Sequence, residues 1–102
     1  MLINLKKDIS FKIKVYPQVD KFLKRLSKKD PLNLKQVMGS IREIEKEPYK
    51  YGFIQGSVKA RKKRKGDYRI IYMVDDSTNP PEILIFQAEH RKKVYKNIED
   101  LL

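Results

Sequence analysis

The sequence has no cysteine, which excludes disulfides and thiolate metal sites and fits a reducing compartment. It has a single histidine, His90, and no carboxylate cluster at ligand spacing, so no metal-binding donor set can be drawn. Gly52, Gly56 and Gly66 fit neither nucleotide-binding fingerprint, so no phosphate-cradling glycine loop is present. No serine–histidine–acid arrangement can be argued either. The longest apolar run, Ile70 to Val74, is far short of a membrane span. The N-terminus carries Lys6, Lys7 and Asp8 where a signal peptide would place its apolar stretch. These absences lead us to expect a soluble, cytoplasmic protein with no cofactor, no metal and no membrane partner.

What the chain has in abundance is positive charge. Twenty-four lysines and arginines against 13 acids give a formal charge of +11. Such an excess favours nucleic acid, ribosomes or an anionic surface as partner, although a solvated basic surface is the plainer reading. The distribution says more than the sum. RKKRKGDYR, residues 61 to 69, holds six cations in nine positions, five of them consecutive, and runs into YRIIYMV, which reads as a buried strand. So much mutual repulsion beside a core is tolerable if a polyanion binds there.

The 102 residues fit one domain, 1–102, able to bury about two thirds of its unfolded surface around a single core. ISFKIKVY, residues 9 to 16, alternates apolar and polar as a half-buried strand does, with Ile9, Phe11, Ile13 and Val15 facing one way. Pro17 ends it and opens a helix over 18 to 28, with Val19, Phe22, Leu23 and Leu26 at helical spacing. Asp30-Pro31 reads as an N-cap followed by a first-turn proline. Leu34, Val37, Met38, Ile41 and Ile44 make the stripe of a second helix, which Pro48 stops. Residues 49 to 56 are a loop. Residues 57 to 65, GDYRIIYMV and EILIFQAEH follow as three hairpin-connected strands, and HRKKVYKNIEDLL closes the chain with Val94, Ile98 and Leu101 at helical spacing. The predicted class is α+β: a small antiparallel sheet with an N-terminal strand, a two-helix hairpin packed on one face, a three-strand meander and a short C-terminal helix. The opposite face of the sheet is left to carry function.

Within this frame the charged residues sort themselves. No register of residues 57 to 65 hides the cations Arg61, Lys62, Lys63, Arg64 and Lys65, so this strand belongs at an edge, where lysine also blocks unwanted pairing. On the next strand Arg69 shares a face with Ile71 and Met73 and interrupts it. Such an arginine needs an anionic partner or a groove: a salt bridge with Asp75 or Glu82 is one solution, a bound anion the other. Arg91 and Tyr95 are four apart, so one helical turn would bring them together. His90 is either a packing residue or an acid–base group, the only side chain whose unperturbed pKa lies near neutrality. Cations, a tyrosine and a histidine suit RNA cleavage, because RNA supplies its own nucleophile in the 2′-hydroxyl. Arginines can stabilise the phosphoryl charge, and tyrosine, histidine or lysine can assist the proton movements without a metal.

GDYRIIYMVDD, a further strand, and HRKKVY near the C-terminus resemble the RelE/ParE superfamily of toxins from prokaryotic toxin–antitoxin pairs. The resemblance covers residues 9 to about 100 and includes the helical hairpin ahead of the meander. It implies a compact α+β fold. The RelE branch enters the ribosomal decoding site and cuts messenger RNA by 2′-hydroxyl attack; the ParE branch inhibits DNA gyrase without cleaving RNA. Both are neutralised by a small antitoxin. By position, Arg69 matches the strand arginine that steadies the phosphoryl transition state. Lys62 and Arg64 fall where RelE toxins place basic residues, and Tyr95 matches the C-terminal tyrosine. Arg91 is assigned as the second arginine, since Glu89 stands where the best-studied branch has one. Val94 occupies the place of the histidine some relatives pair with the final tyrosine, so His90 does not inherit that role and the general base stays open. The expected function is that of a ribosome-dependent endoribonuclease toxin. Arg69, Arg91 and Tyr95 would be catalytic, Arg61 to Lys65 would bind RNA, and the partners would be ribosome, messenger RNA and an acidic antitoxin. The alternatives are a ParE-like gyrase inhibitor and an inactive nucleic-acid-binding relative.

Overall fold

The computed structural model describes residues 11–93. They form β1 (Lys12–Val15), α1 (Pro17–Lys29), α2 (Pro31–Lys46), β2 (Arg61–Lys65), β3 (Tyr68–Asp75) and β4 (Glu82–His90). Ile9 and the expected C-terminal helix beyond residue 93, with Val94, Tyr95, Ile98 and Leu101, lie outside the described residues; residues 91–93 have helical conformation. The sheet order is β1-β4-β3-β2, with the α+β layout that the periodicities predict. The meander is antiparallel, as hairpin connections require. β1 differs: it joins the far edge parallel to β4, from Lys12 opposite Glu82 to Val15 opposite Ile85. The intervening helices supply the long crossover that a parallel pair needs.

Local chemistry sets the helix boundaries. Pro17 sits in the first turn of α1, where its missing N–H costs nothing. Val19, Phe22 and Leu26 are its buried stripe. Asp30 alone joins the helices, a shorter link than the spacing suggested. Its N–H donates to the Leu26 carbonyl (2.8 Å), and its carboxylate accepts from the Asn33 N–H (3.2 Å). One residue thus closes α1 and caps α2. Val37, Ile41 and Ile44 of α2, with α1, meet Ile70, Tyr72, Ile83, Ile85 and Ala88 of the sheet in the main core. The buried Tyr72 hydroxyl donates to the Pro48 carbonyl at 2.6 Å and so anchors the end of the helical layer. Burial of the phenol pushes its pKa up to about 12.

The sequence reading left the opposite face to carry function; the structure also places apolar residues there. A second apolar cluster there joins Ile54, Ala60, Ile71 and Phe86, flanked by Tyr16, Met73 and Leu84. The loop after α2 supplies two of these residues. It runs beside β2, where the Lys62 N–H donates to the Gly52 carbonyl (3.0 Å), then folds under the sheet edge. Gly56, at φ 87°, makes that turn, and the Ser57 hydroxyl accepts from the Ala60 N–H at 2.9 Å. Residues 57–60 are held in this turn, which is why β2 starts at Arg61 and not at residue 57. The strict alternation expected over 9 to 16 also breaks. Val15 is 39 % exposed, while the Tyr16 ring packs edge-on against Phe86 in the second cluster.

Candidate functional site

The pairing of β2 with β3 divides the basic run between two faces. Arg61 lies opposite Tyr72, Lys63 opposite Ile70 and Lys65 opposite Tyr68; Lys62 lies opposite Ile71 and Arg64 opposite Arg69. Directly opposed residues share a face, so the first three belong to the helix side and the other two to the side of Arg69.

Two of the three helix-side cations, Arg61 and Lys63, are spoken for, while Lys65 is exposed. The Arg61 guanidinium donates through Nη1 to the carbonyls of Tyr51 (2.6 Å) and Tyr49 (3.2 Å) and stacks over the Phe53 ring at 4.1 Å. The Lys63 ammonium is 3.5 Å from the Glu43 carboxylate of α2 and 4.7 Å from the Tyr51 ring centre. Arg61 and Lys63 therefore fasten the 47–60 loop and the second helix to the sheet. The sequence suggested five equivalent RNA contacts; the fold separates two fasteners from the exposed Arg64 and Lys65 and from Lys62.

Arg69 behaves differently. It is 5 % exposed, and its Nη1 donates to the carbonyls of Gly66 (2.7 Å) and Tyr68 (2.9 Å), while its Nε has no hydrogen-bond partner. Gly66, at φ 58°, provides the tight turn that brings its carbonyl back over the strand. Among the described residues no carboxylate pairs with Arg69. Of the two acids considered from sequence, Asp75 sits at the other end of β3, where it accepts from the Ser77 N–H (3.0 Å) and hydroxyl (2.6 Å), and Glu82 faces it across the strands. Six residues of strand are about 20 Å, too far for either to reach. The acid nearest in register is Glu89, opposite Arg69 on β4. Its carboxylate is drawn to Arg25 of α1 at 3.0 Å, which leaves the Arg69 charge uncompensated.

The other candidates fall at the same end of the sheet on different sides. The Arg91 N–H donates to the Asp67 carbonyl (2.7 Å), and its guanidinium lies 3.7 Å from the Asp67 carboxylate in the β2–β3 turn, one residue from Gly66. His90 is paired with Tyr68 on the helix side, with ring centres 5.8 Å apart, and its Nδ1 accepts from the Lys92 N–H at 3.3 Å. Tyr68 in turn meets Phe22. His90 thus packs on the face away from the Arg69 side chain. Tyr95 is outside the described residues.

One neighbour of Arg69 was not singled out from sequence. Gln87 is 6 % exposed, and its Oε1 has no hydrogen-bond partner. In EILIFQAEH it shares the parity of Ile83 and Ile85, which would send it into the helical core. A bulge prevents this. Ile71 pairs with Gln87 but Tyr72 pairs with Ile85, so Phe86 is the extra residue. Past the bulge the facing reverses, and Gln87 and Glu89 stand on the Arg69 side while Ala88 enters the core. Only the short, buried alanine between two polar residues hinted at this. A separate cavity of about 380 Å³ lies at the far end of the sheet, lined by Phe53, Val58, Met73 and Leu84 and closed by Asp75 and Asp76. Asp76 accepts a hydrogen bond from Tyr49 and holds that phenol's pKa above its ordinary value. Lys59 and Arg61 also line it, so its cations and carboxylates are balanced.

No protein-family model matches the chain. A curated relative, RelE4 of Methanocaldococcus jannaschii, whose name marks it as a candidate toxin, is 24 % identical over 86 residues, 84 % of this chain and 92 % of that one. Among solved structures, a chain of the RelBE2 toxin–antitoxin complex from Mycobacterium tuberculosis superposes with a TM-score of 0.66 at 20 % identity, covering 81 % of this chain and all of that one. The sequence likeness supports the resemblance to the RelE/ParE superfamily, and the structural likeness shows that the fold is RelE-like.

Proposed function

We propose that this protein is the toxin of a type II toxin–antitoxin pair and that it cleaves messenger RNA in the ribosomal decoding site. The observation that carries the reading is Arg69. A buried guanidinium with no acid paired to it and an unmatched Nε–H is a costly arrangement, roughly 1–3 kcal/mol for the orphaned donor alone. A phosphoryl oxygen is the group that would relieve it, through a charge-assisted hydrogen bond. The RelE-like fold and the relative named as a RelE toxin support the same reading.

In the reaction the 2′-oxygen of one nucleotide bonds to the adjacent phosphorus as the bond to the 5′-oxygen of the next breaks. A 2′,3′-cyclic phosphate and a free 5′-hydroxyl result. One proton leaves the 2′-hydroxyl and one reaches the 5′-oxygen. Arg69 stabilises the charge gathered on the phosphoryl oxygens, Lys62 and Arg64 hold the flanking backbone, and Arg91 and Tyr95 complete the site from the C-terminal side. The acidic antitoxin would cover this basic face, and the protein would act in the cytoplasm. The test is to map messenger RNA ends after induction without antitoxin. Breaks within translated codons are the expected result. Intact transcripts with blocked DNA supercoiling would replace this reading with gyrase inhibition.

A further inference from the structure

We propose that Gln87 is a substrate-contacting residue of the Arg69 face, whose side-chain amide holds the ribose carrying the attacking 2′-hydroxyl. This rests on the reading of the protein as an RNA-cleaving toxin and assigns a role within that site.

Three observations converge on Gln87. The bulge at Phe86 turns it out of the helical core and onto the face of Arg69, and bulges are used next to active sites to re-aim side chains in this way. It is 6 % exposed with an unpartnered Oε1, beside a 5 % exposed Arg69 with an unpartnered Nε. Buried polar atoms without partners are rare in native folds, and here a donor and an acceptor are orphaned on diagonal neighbours of one strand pair. Such neighbours have Cα atoms about 7–8 Å apart, a gap that a long side chain on each side can narrow around a small group.

The two orphans also have complementary chemistry. A ribose and its 3′-phosphate present one hydroxyl donor and several anionic acceptors side by side. Oε1 of Gln87 can accept from the 2′-hydroxyl while Nε–H of Arg69 donates to a phosphoryl oxygen. DNA lacks the hydroxyl and would leave Oε1 unmatched. Ile71 and Phe86, buried beside the pair, limit water's access to both bonds. An amide takes no proton near neutrality, so Gln87 orients the nucleophile and leaves deprotonation to another group. Glu89, held by Arg25, cannot replace it without breaking its own ion pair.

The test uses Gln87→Met, which keeps the unbranched shape and removes both polar atoms. Removing an orphaned acceptor should leave the unfolding temperature equal or higher. Cleavage of messenger RNA on programmed ribosomes should nevertheless fall by about ten-fold, the order expected of a hydrogen bond lost from a positioned nucleophile. Binding then isolates the contact, using uncleavable messages with either 2′-amino or 2′-deoxy at the cleavage nucleotide. The full-length wild-type protein should prefer the amino form by about five-fold, and the variant should bind both alike. If Gln87→Met does not fold, Gln87→Leu carries the same readouts. A variant that cleaves at the wild-type rate or keeps the amino preference overturns the proposal while the RNA-cleaving function stands. A wild-type protein that cleaves no message removes that function and this assignment together.

Discussion

The two faces of this small sheet treat polar groups in opposite ways. On the helix side, the two half-buried cations are matched: Lys63 meets Glu43, and Arg61 meets two carbonyls and an aromatic ring. The buried Tyr72 hydroxyl meets a carbonyl as well, and among the described residues the buried Ser40 hydroxyl of α2 is the exception on this side. On the other side, Arg69 and Gln87 are buried to the same degree, yet each keeps an atom without a partner. The two faces of one sheet, a few ångströms apart, thus follow two rules. The matched side serves the fold, whereas the unmatched side holds capacity for a group that is not part of the chain. A protein under selection for stability alone would fill the second face with apolar or paired residues.

This contrast can be broken or sharpened by substitution. The largest effect is expected from Arg69→Ala, which should lower cleavage by about 10²–10³-fold, as removal of a preorganised donor does elsewhere. Lys63→Ala, on the other face, should leave cleavage nearly unchanged. Equal losses in single-turnover assays would erase the distinction between the faces. In the matched core, Ile85→Ala should cost about 2–5 kcal/mol in denaturant unfolding, because Ile85 is fully buried between helices and sheet.

Tyr72→Phe should cost about 1–3 kcal/mol by leaving the Pro48 carbonyl unpaired. The same variant alters alkaline behaviour. The folded phenol titrates near 12 and the unfolded one near 10, so the folded state binds the proton more tightly. Its contribution to stability is therefore complete below about pH 10 and lost as pH rises toward about 12. The wild type should lose stability across that window, and Tyr72→Phe should lose less. The smallest effect is expected at Arg64, which is exposed and on the Arg69 face. Arg64→Ala should change stability by no more than about 0.5 kcal/mol, yet lower the salt slope of RNA binding by about one.

Much of the fold was legible because its signals are local. Helical spacing in Val19, Phe22 and Leu26, the Asp30-Pro31 cap and the strand runs after residue 67 each report on a few neighbouring residues. The placement of Arg69 away from the helices followed from strand parity in the same way. The parallel docking of β1 was not legible, since it depends on which edge remains open once the meander has formed. Nor was the division of RKKRK, because Arg61 and Lys63 find partners in Glu43 and in carbonyls of a distant loop. Gln87 was hidden most completely. One bulge residue reverses the facing of all that follows, so simple alternation would assign Gln87 and Glu89 to the wrong side.

The most direct measurement is to follow the arginine Nε–H resonances by NMR while titrating the protein with an uncleavable messenger oligonucleotide. The expected result is a downfield shift and slowed exchange at Arg69, with Arg61 unmoved. A response at Arg61 and its loop, with Arg69 silent, would put the RNA on the wrong part of the molecule and contradict the assignment of the Arg69 face.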